Sequence, residues 1–221
     1  MRVIAGLALA AALAVPGEAR AVDTSRPDRW VGTGTPRSCT SRAVVRAVAK
    51  GGVIRFRCGP DPVRIEMKRT AKVVNTSRRV VLDGRGLVTL SGGGKRRILY
   101  QNTCDQRLVW TTSHCNDQAT PKLVLRNLTF TRGNSTGSVE EGGGGGAVFV
   151  DGGTSTFEQS RFCDVPGAAI LGRSTGTLTN TLFASGDSAL SVDDGPKRLL
   201  GAPHRQTVHL PAWSAATFSS L

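Results

Sequence analysis

The stretch Leu125-Arg126-Asn127-Leu128-Thr129-Phe130 recurs twice downstream, as Phe157-Glu158-Gln159-Ser160-Arg161-Phe162 and as Leu178-Thr179-Asn180-Thr181-Leu182-Phe183. Each copy opens on an apolar residue, carries an amide side chain third and ends on Phe. The phenylalanines stand 32 and then 21 residues apart, and the longer step contains the Gly142 to Gly146 run and an insertion-like Ser135 to Glu141. A second element interleaves with the first: Gly146-Ala147-Val148-Phe149-Val150, Ala168-Ala169-Ile170-Leu171-Gly172 and Ser188-Ala189-Leu190-Ser191-Val192. A fixed period of ~20–22 residues marks stacked repeats, in which each unit buries its apolar face against its neighbours.

Upstream of the copies the pattern alternates with period two. Val53 to Cys58, Val63 to Met67, Val80 to Leu82 and Leu87 to Leu90 read as short strands bounded by Gly, Pro, Asp or Asn. A helix of about residues 40–50 precedes them, with Thr40 or Ser41 as cap, Ala43, Val44, Ala47 and Val48 on one face, and Gly51 as stop. Leucine-rich repeats share the period but need a helical half that is absent here. The expectation is therefore an all-β parallel β-helix in which like residues stack. Leu125, Phe157 and Leu178 form one internal column, and Phe130, Phe162 and Phe183 another. Asn127, Gln159 and Asn180 sit at a bend and share an amide ladder. Gly52 to Gly195 leaves room for ~7 coils at ~4.8 Å each. Thin layers of this kind need few aromatics, and the chain has seven Phe, three Trp and one Tyr in 221 residues.

The ends read differently. Met1-Arg2, the apolar run Ile4 to Val15 and Ala19-Arg20-Ala21 form the three parts of a secretory signal, cleaved after Ala21. Twelve apolar residues fall short of the ~20 that span a bilayer, and no later segment reaches that length. Residues 22–38, rich in Pro, Gly, Thr and Arg, read as a linker, 39–195 as the β-helix domain, and 196–221 as an irregular tail. Export makes disulfides the default state of Cys39, Cys58, Cys104 and Cys115. The first pair flanks the helix and first strand, the second closes a short loop, and Cys163 is left over. A zinc site of Cys104, His114, Cys115 and Asp117 is the alternative, with poor spacing for a tetrahedral ion.

The repeats resemble those of right-handed parallel β-helix proteins of the pectin-lyase-like superfamily. They are most similar to secreted bacterial proteins with polymorphic-outer-membrane-protein-type repeats. Such repeats pair a Gly-Gly-Ala-Ile-like element with a Phe-x-x-Asn element. Here these stand as Gly145-Gly146-Ala147-Val148 and Phe130-Thr131-Arg132-Gly133-Asn134, the second with one extra residue. The segment from Cys39 to Cys58 also looks like the helix and first strand that cover the N-terminal end of these solenoids. The superfamily holds lyases, hydrolases, epimerases and adhesins, so the resemblance implies a fold more than a reaction.

Charge points to the partner. The net charge is +13, and residues 22–132 hold 22 Lys and Arg against 7 acids, a balance of +15. Outside a cell the plentiful anions are acidic polysaccharides and surface glycans, and export argues against nucleic acid. Lys95, Arg96 and Arg97 are the densest basic run and, with Trp110 in the loop between Cys104 and Cys115, are the candidate glycan contacts. The indole either stacks on a sugar ring or covers the core under its loop. Asp151, Arg173 and Asp193 follow equivalent positions of the second repeat element. They are expected to stack one coil apart, as an ion-pair ladder or as catalytic carboxylates. No cofactor is expected, except that the resemblance to pectate lyases implies Ca²⁺ with a uronate if these residues are catalytic. Three functions follow: an adhesin-like binder of acidic glycan, a polysaccharide lyase or glycoside hydrolase, or an inactive fragment.

Overall fold

The structure is a computed structural model and describes residues 22–115, 117–141, 143–165, 168–179, 181–184, 188–192 and 208–210. The one α-helix among them, α1 (Ser41–Lys50), forms where the sequence expects it. The Thr40 side chain accepts a hydrogen bond from the Ala43 N–H at 3.2 Å, satisfying one of the orphan donors of the first turn. Gly51, at φ 66, ends the helix in the left-handed region. Val44, Ala47 and Val48 are buried, while Arg42, Arg46 and Lys50 are exposed on the opposite face.

Among the described residues thirteen strands make one sheet. They are β1 (Arg29–Val31), β2 (Gly52–Phe56), β3 (Val63–Glu66), β4 (Ala71–Lys72), β5 (Arg79–Ser91), β6 (Leu99–Asn102) and β7 (Lys122–Thr131). After these come β8 (Val148–Glu158), β9 (Arg161–Cys163), β10 (Ala168–Thr179), β11 (Leu182–Ala184), β12 (Ser188–Val192) and β13 (Val208–Leu210). All pairings are parallel except that of β13 with β10. The long strands bend, and each half pairs separately, so the sheet resolves into three ladders. The first joins β2 and the leading halves of β5 and β7 to the trailing halves of β8 and β10. The second joins β3, the trailing halves of β5 and β7, β9 and β11. The third joins β4, β6, the leading halves of β8 and β10, and β12. The chain visits first, second and third ladder in that order five times among the described residues.

The sheet curls around one apolar core supplied by all three ladders. Ile54, Leu82, Leu125, Phe157 and Leu178 are partners in register along the first ladder. All five are buried, each worth about 1.5–3 kcal/mol of transfer free energy. Phe130 and Phe162 are in register on the second ladder and stack at 4.9 Å, with Phe183 the next partner. The first expected column is thus in place, and so is the second from Phe130 to Phe162, with Phe183 following in backbone register. Asn127 and Gln159 occupy the corner between first and second ladders at φ 52 and 48, as the bend reading requires. The expected amide bond between Asn127 and Gln159 is not made: the Asn127 Nδ2 donates to Asp83 Oδ1 at 2.9 Å, because a carboxylate is the stronger acceptor one strand away. Asn180 lies outside the described residues. At the corner between third and first ladders Gly152 (φ 73) is obligatory, since a Cβ there meets Thr103 Oγ1 at 1.7 Å.

Residues 22–38 are not a linker. They contain β1, which pairs in parallel with β2, and a segment, 22–28, that crosses the outside of the first ladder. Val22 packs on the outward-facing Val53, Val81 and Val124. Arg126 Nη1 donates to the Val22 carbonyl at 2.6 Å, and the Thr24 hydroxyl donates to Asp83 Oδ2 at 2.6 Å. Alternation along the strands put these valines outward, and the segment covers them. Within the tail expected to be irregular, Val208–Leu210 pairs with β10. The signal segment 1–21 lies outside the described residues.

Candidate functional site

Two long loops flank the third ladder. Residues 103–121 lead from β6 toward the first ladder, and residues 132–147 lead from the second ladder into β8. The first rests on Tyr100 and Phe149, which are in register on β6 and β8 and stack at 5.3 Å, and the second is tied to them through Arg97. Their neighbours Leu99, Val148 and Val150 fill the core, so alternation points these two rings outward. Leu108 of the first loop packs on them. The Tyr100 hydroxyl donates to Asp105 Oδ2 at 3.2 Å. Burial, reinforced by the Asp105 carboxylate, raises the Tyr100 phenol to about 12. Asp105 in turn takes two hydrogen bonds from the Arg107 guanidinium, at 2.8 and 3.0 Å, and one from the Arg107 N–H at 3.1 Å, which hold its carboxyl below the usual range.

The second loop is held by Arg97. Its guanidinium donates to the carbonyls of Gly143, Gly144 and Gly145 at 2.9, 2.9 and 3.2 Å and to Glu141 Oε2 at 3.2 Å. It lies 4.8 Å from the Phe149 ring centre and 5.3 Å from that of Tyr100. Lys72 pairs with the other Glu141 oxygen. Burial pulls the Arg97 guanidinium below its usual value, with Glu141 opposing.

The loop tips are exposed. Of the four large apolar side chains exposed among the described residues, Val109, Trp110 and Val139 lie on these two loops. Trp110 is 49% exposed, so it does not cover the core. It is carried by a loop closed by the Cys104–Cys115 disulfide. Val109 beside it sits at φ 74, a conformation that costs a β-branched residue about 1–3 kcal/mol. The fourth exposed apolar residue, Trp30, has the guanidinium groups of Arg55 and Arg57 over its ring, at 5.6 and 4.6 Å from the centre.

The structure divides the expected basic run. Lys95 is exposed. Arg96 is half-buried and donates to the Lys68 carbonyl. Arg97 is buried and committed to the glycine-rich loop, so it is not available to a glycan. Asp151 and Arg173 are partners in register, as their repeat positions predict. Asp193 lies outside the described residues, although Val192 before it pairs with Gly172. A charge ladder that the sequence reading missed runs along the first ladder, where Arg55, Asp83, Arg126 and Glu158 are successive partners. Arg126 and Glu158 are 3.6 Å apart. Both occupy the second position of the repeat copies, and alternation at that position was the available signal.

Cys39–Cys58 and Cys104–Cys115 are disulfides, which removes the zinc reading, and Cys163 is a free thiol. Among the described residues no three His, Cys, Asp or Glu side chains converge to hold a metal ion, and no helix is long and apolar enough to cross a membrane. Comparison with protein-family models, curated proteins and solved structures gives no match.

Proposed function

We propose that the chain is an exported right-handed parallel β-helix, pectin-lyase-like in fold, that binds an acidic extracellular or cell-surface polysaccharide as an adhesin does. The order in which the chain visits its three ladders, and the in-register apolar columns, support the solenoid. The basic, apolar and small-x-small start, with two disulfides, supports export.

The observation that carries the binding reading is Trp110: an indole 49% exposed at the tip of a disulfide-closed loop. A flat amphipathic ring held out on a constrained loop loses little entropy when a sugar stacks on it. The excess of cations over residues 22–132 supplies attraction to an acidic chain. The test is a panel of acidic and neutral polysaccharides with the exported chain. Salt-sensitive binding of acidic members without cleavage is expected, with a loss of about tenfold in Trp110→Ala, equivalent to ~1.4 kcal/mol. Failure to bind any acidic polysaccharide overturns the reading.

A catalytic alternative, lyase or hydrolase, draws on the register of Asp151 with Arg173. Release of unsaturated uronate or new reducing ends, abolished by Asp151→Asn in a folded chain, selects it.

A further inference from the structure

We infer that the outer face of the capping helix α1 is a docking surface for a linear polycarboxylate chain. This rests on the acidic-glycan reading above and gives the charge contact a place separate from Trp110. Arg42, Arg46 and Lys50 stand at i, i+4 and i+8, so they line one stripe with a rise of ~6 Å between neighbours. All three are exposed, while Val44, Ala47 and Val48 hold the opposite face in the core. Helix α1 contains no acidic residue. Among the described residues no ion pair reaches any of the three.

The stripe works against the helix that carries it. Like charges at i, i+4 repel across one turn. Arg42 lies in the first turn, where the helix dipole favours an anion, and no acid is present there. Only Lys50, in the last turn, sits where the dipole favours a cation. Local rules broken together in the same direction are expected at a surface kept for binding. The cations continue beyond the helix. Arg37 is exposed in the turn before it. The Lys68 N–H donates to Ser41 Oγ at 2.8 Å, which brings exposed Lys68 and Arg69 to the start of α1.

The chemistry of the surface selects the partner. None of the large exposed apolar side chains lies on α1, so it lacks the apolar face by which an interfacial helix enters a lipid surface. Guanidinium groups at regular spacing suit repeated carboxylates, each of which accepts a two-pronged contact. A polyuronate offers these at every sugar.

The experiment uses the exported full chain and polygalacturonate, with its methyl-esterified form, polyphosphate and duplex DNA as comparison arms. The triple variant Arg42→Gln, Arg46→Gln, Lys50→Gln keeps helix propensity. It is expected to lose at least tenfold in affinity and to show a flatter salt dependence, with an unchanged or raised melting temperature. A charge-matched control, Arg85→Gln, Lys122→Gln, Arg161→Gln, is expected to change affinity less than twofold. Equal losses in the two variants, or none in the first, overturn the stripe while leaving glycan binding intact. Absence of wild-type binding to polygalacturonate overturns the glycan reading and this inference with it. Tighter binding to polyphosphate or DNA than to polygalacturonate overturns the choice of partner.

Discussion

Arg97 and Glu141 meet at 3.2 Å across 44 residues of sequence, with the guanidinium enclosed between two aromatic rings and three glycine carbonyls. The pair fixes the glycine-rich loop against the outside of the third ladder. Arg97→Leu leaves the Glu141 carboxylate to Lys72 alone and strips the carbonyls of their donor. The unfolding free energy should fall by about 3 kcal/mol, the usual cost of breaking a buried pair from one side. Glu141→Gln keeps an acceptor and should cost about 1 kcal/mol. Urea denaturation of both variants measures the difference. A loss below about 1 kcal/mol for Arg97→Leu means the loop is held by other contacts.

The two bridges and the one free thiol give a chemical prediction. The intact oxidised chain should weigh four hydrogens less than the reduced sequence, and one thiol, Cys163, should react after unfolding. The double change Cys104→Ser, Cys115→Ser opens a loop of sequence separation 11 and should cost about 3 kcal/mol. Affinity for a stacked sugar should fall with it, because Val109 and Trp110 lose their constraint. Three reactive thiols in the unreduced wild type contradict one of the two bridges.

Much of the fold was legible because the repeats carry it. The spacing of Phe130, Phe162 and Phe183 placed them on one ladder, and the Asn127 and Gln159 positions placed the bend. The outward side was less legible. Alternation says that Tyr100 and Phe149 point away from the core, but not that two loops return to cover them. The loop lengths differ from circuit to circuit, so no repeat alignment pairs Arg97 with Glu141. Composition made residues 22–38 look like a linker. Yet a segment needs few apolar residues to dock when a sheet presents Val53, Val81 and Val124 outward. Counting cations found the basic half of the chain. It could not separate Arg97, which is buried, from Arg42 and Arg46, which are not.

Tyr100 provides a clean pH test because it is the one tyrosine in the chain. Burial is the main cause that raises its phenol from 10.0 to about 12. A raised folded value means the folded chain holds the proton longer than the unfolded chain. The contribution is whole below pH 10 and is lost as pH climbs through about 12. Phenolate absorbance of the native chain should therefore titrate well above that of the urea-unfolded chain. Tyr100→Phe should be less sensitive to alkali than wild type, although it forgoes the hydrogen bond to Asp105. Coincident titration curves in native and unfolded chains contradict the burial of this ring.

Asp83 gives the opposite sign at the other end of the pH scale. Burial alone raises its carboxyl, but the hydrogen bonds from Asn127, Thr24 and the Arg85 N–H, with Arg126 nearby, outweigh this and hold it below the ordinary value of 3.8. A lowered folded value means the contribution is in place above that value and is lost as pH falls through the folded one. Asp83 is also where the 22–28 segment, the Asn127 corner and the ladder from Arg55 to Glu158 converge. Asp83→Asn removes the charge between Arg55 and Arg126 and weakens the acceptor for Thr24. It should cost about 2–3 kcal/mol near neutral pH, the loss of a largely buried charged hydrogen-bond acceptor. The difference from wild type should shrink as pH falls from the ordinary carboxyl value of 3.8 toward the lower folded one, because the unfolded chain takes up the proton first. Limited proteolysis near residues 22–28 should accelerate in the variant, because that segment loses its anchor on the sheet. A stability difference that stays constant through the acid range assigns the loss to packing rather than to charge.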